Sequence, residues 1–156
     1  MIEPGWSNNR TSVKDSKGGY TTVTFDALDR QLSQQTAGSG IAAMRFDYAY
    51  TARGQVSSLT RYSNLGGSTV VATTVYSYDA AERETNLKTT NGSGTVLSNY
   101  TYTYDAASQL TAKQENGTTT SFSYDADGQL TADGATGYSY DATGNRTNTG
   151  LSLIHI

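Results

Sequence analysis

The sequence predicts an all-β fold, an antiparallel meander of consecutive β-hairpins. Three observations predict it. Tyr100-Thr101-Tyr102-Thr103-Tyr104 alternates with a period of two, the signature of a strand with one aromatic face. An aromatic-plus-Asp segment recurs along the chain and has the composition of a tight corner. Between these segments lie Asn-Gly, Asp-Gly and Gly-Gly pairs, which are strong hairpin signals when strand-like runs flank them.

Taken in chain order, the corner appears six times. It begins as Phe25-Asp26-Ala27-Leu28-Asp29-Arg30-Gln31-Leu32 and continues as Tyr50-Thr51-Ala52-Arg53-Gly54-Gln55-Val56-Ser57. Tyr78-Asp79-Ala80-Ala81-Glu82-Arg83-Glu84-Thr85 and Tyr104-Asp105-Ala106-Ala107-Ser108-Gln109-Leu110-Thr111 follow. The clearest copy is Tyr124-Asp125-Ala126-Asp127-Gly128-Gln129-Leu130-Thr131, and the last is Tyr140-Asp141-Ala142-Thr143-Gly144-Asn145-Arg146-Thr147. Successive copies start 25, 28, 26, 20 and 16 residues apart, so the connecting loops vary while the unit does not.

Each copy has a physical reading. The strand comes first, as in Thr74, Tyr76 and Tyr78, in Thr120, Phe122 and Tyr124, and in Tyr138 and Tyr140. Asp then opens a turn, because its carboxylate can accept backbone N–H groups just ahead of it. Gly54, Gly128 and Gly144 stand three residues after the turn-opening position, where a positive φ suits glycine. Thr51 replaces Asp in the second copy, and Glu82 and Ser108 stand where Gly is expected. Those two corners must either adopt another turn or carry a left-handed strain of ~1–2 kcal/mol. The far ends of the hairpins fall at Gly66-Gly67, Asn91-Gly92-Ser93-Gly94, Asn116-Gly117 and Asp133-Gly134. A unit therefore holds two strands of about 5–8 residues and two turns. Ala42-Ala43-Met44-Arg45 is the nearest approach to a helix and is too short for one.

Composition narrows the function. The apolar fraction is 35%, low for a thick core, yet 12 Tyr and abundant Thr favour strands over disorder. The net charge is −3, and the 11 Lys and Arg are scattered, so no nucleic-acid footprint appears. Cysteine is absent, which excludes disulfides and Cys-based metal sites or nucleophiles. No apolar run approaches the ~18 residues of a membrane helix, so no membrane insertion is expected. The segment Met1-Ile2-Glu3-Pro4-Gly5-Trp6 is no signal peptide.

No catalytic, cofactor-binding or metal-ligating residue is assigned. His155 is the single histidine and sits in an anomalous C-terminal hexapeptide, so a catalytic triad or His metal site has no support. Asp26, Asp79, Asp105, Asp125 and Asp141 share one position in the repeat and are read as turn caps rather than calcium ligands or paired catalytic carboxylates. Asp125-Ala126-Asp127-Gly128 imitates the opening of a calcium loop but lacks its further ligands and closing Glu. Gly18-Gly19 and Gly38-Ser39-Gly40 have no phosphate-loop context. The tyrosines either stack across strands and stiffen the sheet, the preferred reading, or form an exposed platform for sugars.

The pattern Tyr-Asp-Ala-x-Gly-(Gln/Arg/Asn)-Leu-Thr resembles the YD repeat of Rhs proteins, wall-associated proteins, insecticidal toxin-complex components and teneurins. The resemblance covers roughly residues 20–150. It implies a long sheet of hairpins, curled into an open partial shell. In bacterial members such a shell surrounds a C-terminal toxin domain; in animal members a similar barrel takes part in adhesion. The Asp-Ala-rich corners resemble the bacterial group. The expected function is thus a non-catalytic structural segment, secreted or at the cell surface, whose partner is the remainder of the same polypeptide, including an enclosed toxin domain. The alternative is a carbohydrate-binding or adhesive module with cell-surface glycans as partner. The shell-closing core of such proteins, with its autoproteolytic Asp and Pro-rich motif, has no match here.

The expected organisation is a poorly defined partial repeat over 1–19, six repeats over 20–150 and a non-native tail over 151–156. That tail, Leu151-Ser152-Leu153-Ile154-His155-Ile156, resembles a translated sequencing adapter and is expected to mark where the gene was cut. Two free sheet edges are expected to favour self-association.

Overall fold

The computed structural model describes residues 11–147; the first ten residues, the hexapeptide and His155 lie outside them. The described residues are all-β, as expected, and divide into two units between Ser98 and Asn99. In the first unit, β1 (Ser12–Lys14), β2 (Tyr20–Phe25), β3 (Gln31–Gly38), β4 (Ile41–Tyr50), β5 (Val56–Tyr62), β6 (Val70–Tyr78) and β7 (Glu84–Asn91) pair antiparallel in succession, β1 with β2 through β6 with β7. β8 (Val96–Tyr104) runs into the second unit, where β9 (Leu110–Glu115), β10 (Thr118–Tyr124), β11 (Leu130–Asp133) and β12 (Thr136–Gly137) follow in the same manner. Each unit is an open, curled meander with chain order equal to spatial order. Ala42, Ala43, Met44 and Arg45 lie within β4, so the one helix-like stretch is strand.

The register sorts side chains onto two faces. In the first unit Tyr48 lies opposite Leu59, Phe46 opposite Arg61, and Tyr76 opposite Leu87, which builds an aromatic and aliphatic face. The other face carries the file Asp47, Thr60, Thr73 and Thr90. In the second unit Tyr100 and Tyr102 lie opposite Glu115 and Lys113, while Thr101 and Thr103 point the other way, opposite Gln114 and Ala112. The alternation read from the sequence is therefore the alternation of the sheet.

Very little is buried. Among the described residues Ala72 is the one buried apolar side chain, and it is still 6% exposed. Thr74 is 2% exposed, and its hydroxyl is satisfied by Thr89 at 3.0 Å and by Arg61 Nη1, which donates at 3.3 Å. Thr21 with Thr36 and Thr24 with Ser33 make similar cross-strand hydroxyl pairs at 3.1 and 2.8 Å. A single layer of this kind is held by backbone ladders and cross-strand pairs rather than by a packed interior.

The corners impose the bends. Every one from Phe25 to Tyr124 is followed by a one-residue slip in register: Tyr124 faces Leu130 but Ser123 faces Ala132, leaving Thr131 as the extra residue. Leu32, Ser57, Thr85 and Thr111 are extra in the same way. Such bulges bend the bulged strand and increase its local twist. At the opposite end Asn116 and Gly117 both take positive φ, 48° and 94°, the pairing of a type I′ hairpin turn.

The corners that lack glycine keep the same backbone. Asp29, Glu82 and Ser108 have φ of 61°, 66° and 65°, matching the left-handed Gly54, Gly128 and Gly144. Of the two possibilities open in the sequence, strain is the one realised. Replacing Ser108 with Gly is expected to raise stability by up to ~1 kcal/mol, the left-handed penalty less the entropy that glycine loses. Gly128→Ala is expected to lower it, since a side chain at a φ of 80° carries the left-handed strain that glycine avoids. Urea unfolding midpoints of the two variants would move in opposite directions.

Candidate functional site

The feature that recurs through the chain is the corner, and its geometry is constant. At Asp26 the backbone N–H donates to the Arg30 carbonyl at 2.9 Å, and the Asp29 N–H donates back to the Asp26 carbonyl at 3.1 Å. The Asp26 Oδ1 accepts the N–H groups of Leu28 and Arg30 at 2.9 and 3.0 Å. Asp79, Asp125 and Asp141 hold the residues two and four ahead in the same way, at 2.8–3.0 Å. Asp105 holds the Gln109 N–H at 2.9 Å. One carboxylate oxygen thus closes a turn and satisfies two N–H groups that the ladder cannot reach.

The substitution at Thr51 works less tightly. Its Oγ1 accepts the Arg53 and Gln55 N–H groups at 3.3 and 3.2 Å. The second carboxylate oxygen recruits the side chain four residues on. Arg30 and Arg83 each place Nε and Nη2 on the Oδ2 of Asp26 and Asp79 at 2.7 Å, and Asn145 Nδ2 reaches that of Asp141 at 3.1 Å.

One further corner, at Asp15, escaped the sequence reading, and the hairpin end read at Asn91-Gly92-Ser93-Gly94 proves to share the corner's geometry. Asp15 accepts the Lys17 and Gly19 N–H groups, both at 2.8 Å, and Asn91 accepts those of Ser93 and Thr95 at 3.1 and 2.8 Å. Gly18 and Gly94 take the left-handed position, each with φ of 87°. Lys14 and Thr90 precede these corners, so the aromatic of the motif is missing. The signal that finds them is the spacing Asp/Asn-x-x-Gly alone.

What the aromatic adds is a link between copies. The Tyr50 hydroxyl donates to the Gln31 carbonyl at 2.7 Å, and Tyr78 to that of Val56 at 2.8 Å. Tyr124 donates to Leu110 at 3.0 Å and Tyr140 to Leu130 at 2.8 Å. In all four the acceptor lies six residues after the aromatic of the preceding copy. Each acceptor also lies two residues outside the last paired position of its ladder: Ser33, Ser58, Ala112 and Ala132 are the last to pair with the incoming strand. The hydroxyl takes over where the strands part, so a carbonyl that would lose its partner keeps one.

Other side chains join neighbouring copies as well. The Arg30 guanidinium sits 4.5 Å over the Tyr50 ring, and Gln55 Nε2 donates to the Glu82 carbonyl at 2.8 Å. Arg53 Nη1 donates to the Ala80 carbonyl at 2.9 Å.

The electrostatics follow this geometry. The Arg30 and Arg83 backbone N–H groups hold the Asp26 and Asp79 carboxyls below the usual range. The Thr143 hydroxyl, with Asn145, holds Asp141 well below it. Burial pushes the Tyr50 and Tyr78 phenols up, which keeps them protonated and able to donate. Depressed carboxyls contribute stability that is present above pH ~4 and lost as the pH falls through their folded values. Raised phenols contribute stability that is present below pH ~10 and lost as the pH rises through theirs.

Chemically, the repeat aspartates are brought into equivalent places and not together. Among the described residues no three His, Cys, Asp or Glu side chains converge on a point. No helix of the described residues is long and apolar enough to cross a membrane.

Comparison with known proteins agrees with the corner. Residues 104–136 match the family model described as RHS Repeat. No curated protein matches the chain. Among solved structures, the Tc holotoxin pore of Photorhabdus luminescens is similar at 19% identity and a TM-score of 0.46, over 82% of this chain and 9% of that one. A TcdB2–TccC3–Cdc42 complex is similar at 21% identity and a TM-score of 0.37, over 72% of this chain and 7% of that one. A TcdB2–TccC3 structure without its hypervariable C-terminal region gives 22%, 0.37, 72% and 7%. The chain spans less than a tenth of each of these.

Two predictions test the corner and the link. Asp125→Ala is expected to lower the urea midpoint clearly, and Asp125→Asn much less, because Asn91 shows that an amide oxygen can hold the same two N–H groups. Tyr124→Phe is expected to cost about 1 kcal/mol, the net worth of one hydrogen bond.

Proposed function

Taking the RHS repeat at residues 104–136 as premise, we propose that the chain is a non-catalytic wall segment of an Rhs-type shell that encloses or displays a C-terminal toxin-type domain. Residues 20–150 are the repeat body, 1–19 a partial repeat and 151–156 a non-native tail. The observation that carries this reading is the hydroxyl link by which Tyr50, Tyr78, Tyr124 and Tyr140 each reach the copy before their own. A chain built this way extends by adding copies, with each hairpin completing its predecessor's hydrogen bonds. Its local chemistry is consumed in holding its own backbone. Such a design suits a wall whose length is set by copy number, with neighbour-to-neighbour stability. Secretion or display at the cell surface follows from that role.

The link also accounts for four of the tyrosines. The hydroxyls of Tyr50, Tyr78, Tyr124 and Tyr140 are turned onto backbone carbonyls rather than offered to a ligand, which favours the stiffening role over a sugar platform at those corners.

The test is the full gene product that contains this sequence. It is expected to carry more Tyr-Asp corners and then an unrelated C-terminal domain. That domain is expected to resist protease in the intact protein and to become cleavable when Tyr124 and Tyr140 are both changed to Phe. A reading frame that stops directly after Gly150, or a C-terminal domain digested equally well in both forms, would remove the proposal.

A further inference from the structure

Among the described arginines of the first unit, one makes no ion pair with a carboxylate. Arg30, Arg45, Arg53 and Arg83 are all engaged by carboxylates, on Asp26, Asp47, Glu82 and Asp79. Arg61 is not; its one hydrogen bond goes to the Thr74 hydroxyl at 3.3 Å. The register places Arg61 between Phe46 of β4 and Ala72 of β6. There it borders a cleft of about 310 Å³ lined chiefly by Ala42, Met44, Phe46, Tyr62 and Val71.

The cleft exists because the register slips. Arg61 pairs with Ala72 while Tyr62 pairs with Val70, so Val71 faces no residue of β5. Val71 is 50% exposed and Met44 41%. An apolar cleft with one charged group able to fix orientation has the make-up of a ligand site. A guanidinium with most of its donors unused matches a carboxylate, which it can grip through two N–H groups at once.

We infer that this cleft receives an acidic residue flanked by apolar residues on an extended polypeptide segment. A free amphiphile fits less well. Small-ligand sites bury most of the ligand's surface, and a cleft whose walls stay half exposed cannot. A polypeptide gains its remaining burial from the apolar face around the cleft. The chemistry of the cleft stands alone, whereas identifying the segment with a domain enclosed by the shell rests on the function proposed above.

The experiment uses the whole chain and two dye-labelled peptides, one of alternating Leu and Glu, the other of alternating Leu and Gln, with binding read by fluorescence anisotropy. The Leu/Glu peptide is expected to bind at least ten-fold tighter. Arg61→Gln is expected to erase that preference, and Arg61→Lys to keep part of it. Val71→Glu, at an exposed unpaired position, fills the cleft with a carboxylate and is expected to erase it too. An unchanged preference in either Arg61→Gln or Val71→Glu, with a strand-type circular dichroism spectrum retained, would overturn the inference. Decanoate binding as tightly as the Leu/Glu peptide would also overturn it, by assigning the cleft to a free amphiphile. Either result leaves the wall-segment reading to the protease test on the full gene product.

Discussion

The structure depends on one recurring hydrogen bond, from a tyrosine hydroxyl to a carbonyl of the preceding copy just beyond the end of its ladder. Tight corners force neighbouring strands apart at the turn, and each parting would strand a carbonyl. Tyr50, Tyr78, Tyr124 and Tyr140 supply the missing donor at 2.7–3.0 Å. Phenylalanine would fill the same space and leave the carbonyl unmet. This gives the choice of Tyr over Phe at these four corners a physical reason.

That constraint explains how a sheet with almost no interior holds together. With Ala72 alone buried among the apolar side chains described, the ordinary hydrophobic contribution is small, and satisfaction of backbone polar groups becomes decisive. The corner Asp closes each turn from within, while the tyrosine closes it from the next copy. A hairpin on its own would have the first and lack the second, consistent with the marginal stability of isolated hairpins. Addition of copies is therefore the natural way for such a chain to gain stability. The functional reading as a wall element grows from the same arithmetic of donors and acceptors.

Much of this was legible in the sequence. Period-two alternation at Tyr100–Tyr104 gave strand and face, and Asp followed three residues on by Gly gave the turn and its left-handed residue. Asn116-Gly117 announced its turn type. Four things were hidden. Ser108, Glu82 and Asp29 occupy the left-handed position without glycine, because the Asp-centred hydrogen bonds and the ladders on either side over-determine the backbone there. The corner at Asp15, and the corner geometry of the hairpin end read at Asn91, lacked the aromatic that marked the others. The link itself spans 10–22 residues between donor and acceptor, so no local pattern could display it; it emerges once the register is known. The cleft at Arg61 was equally silent, since it arises from a slip of register that leaves Val71 unpaired.

The central claim is that the four phenol protons are held by backbone carbonyls of the preceding copy. Hydroxyl-proton exchange measured by NMR at low temperature reports on this directly. The account predicts that the hydroxyl protons of Tyr50, Tyr78, Tyr124 and Tyr140 are individually visible, slow to exchange and close to the protons flanking Gln31, Val56, Leu110 and Leu130, respectively. Hydroxyl protons that exchange as fast as those of free tyrosine, in a chain whose strands are formed, would contradict it.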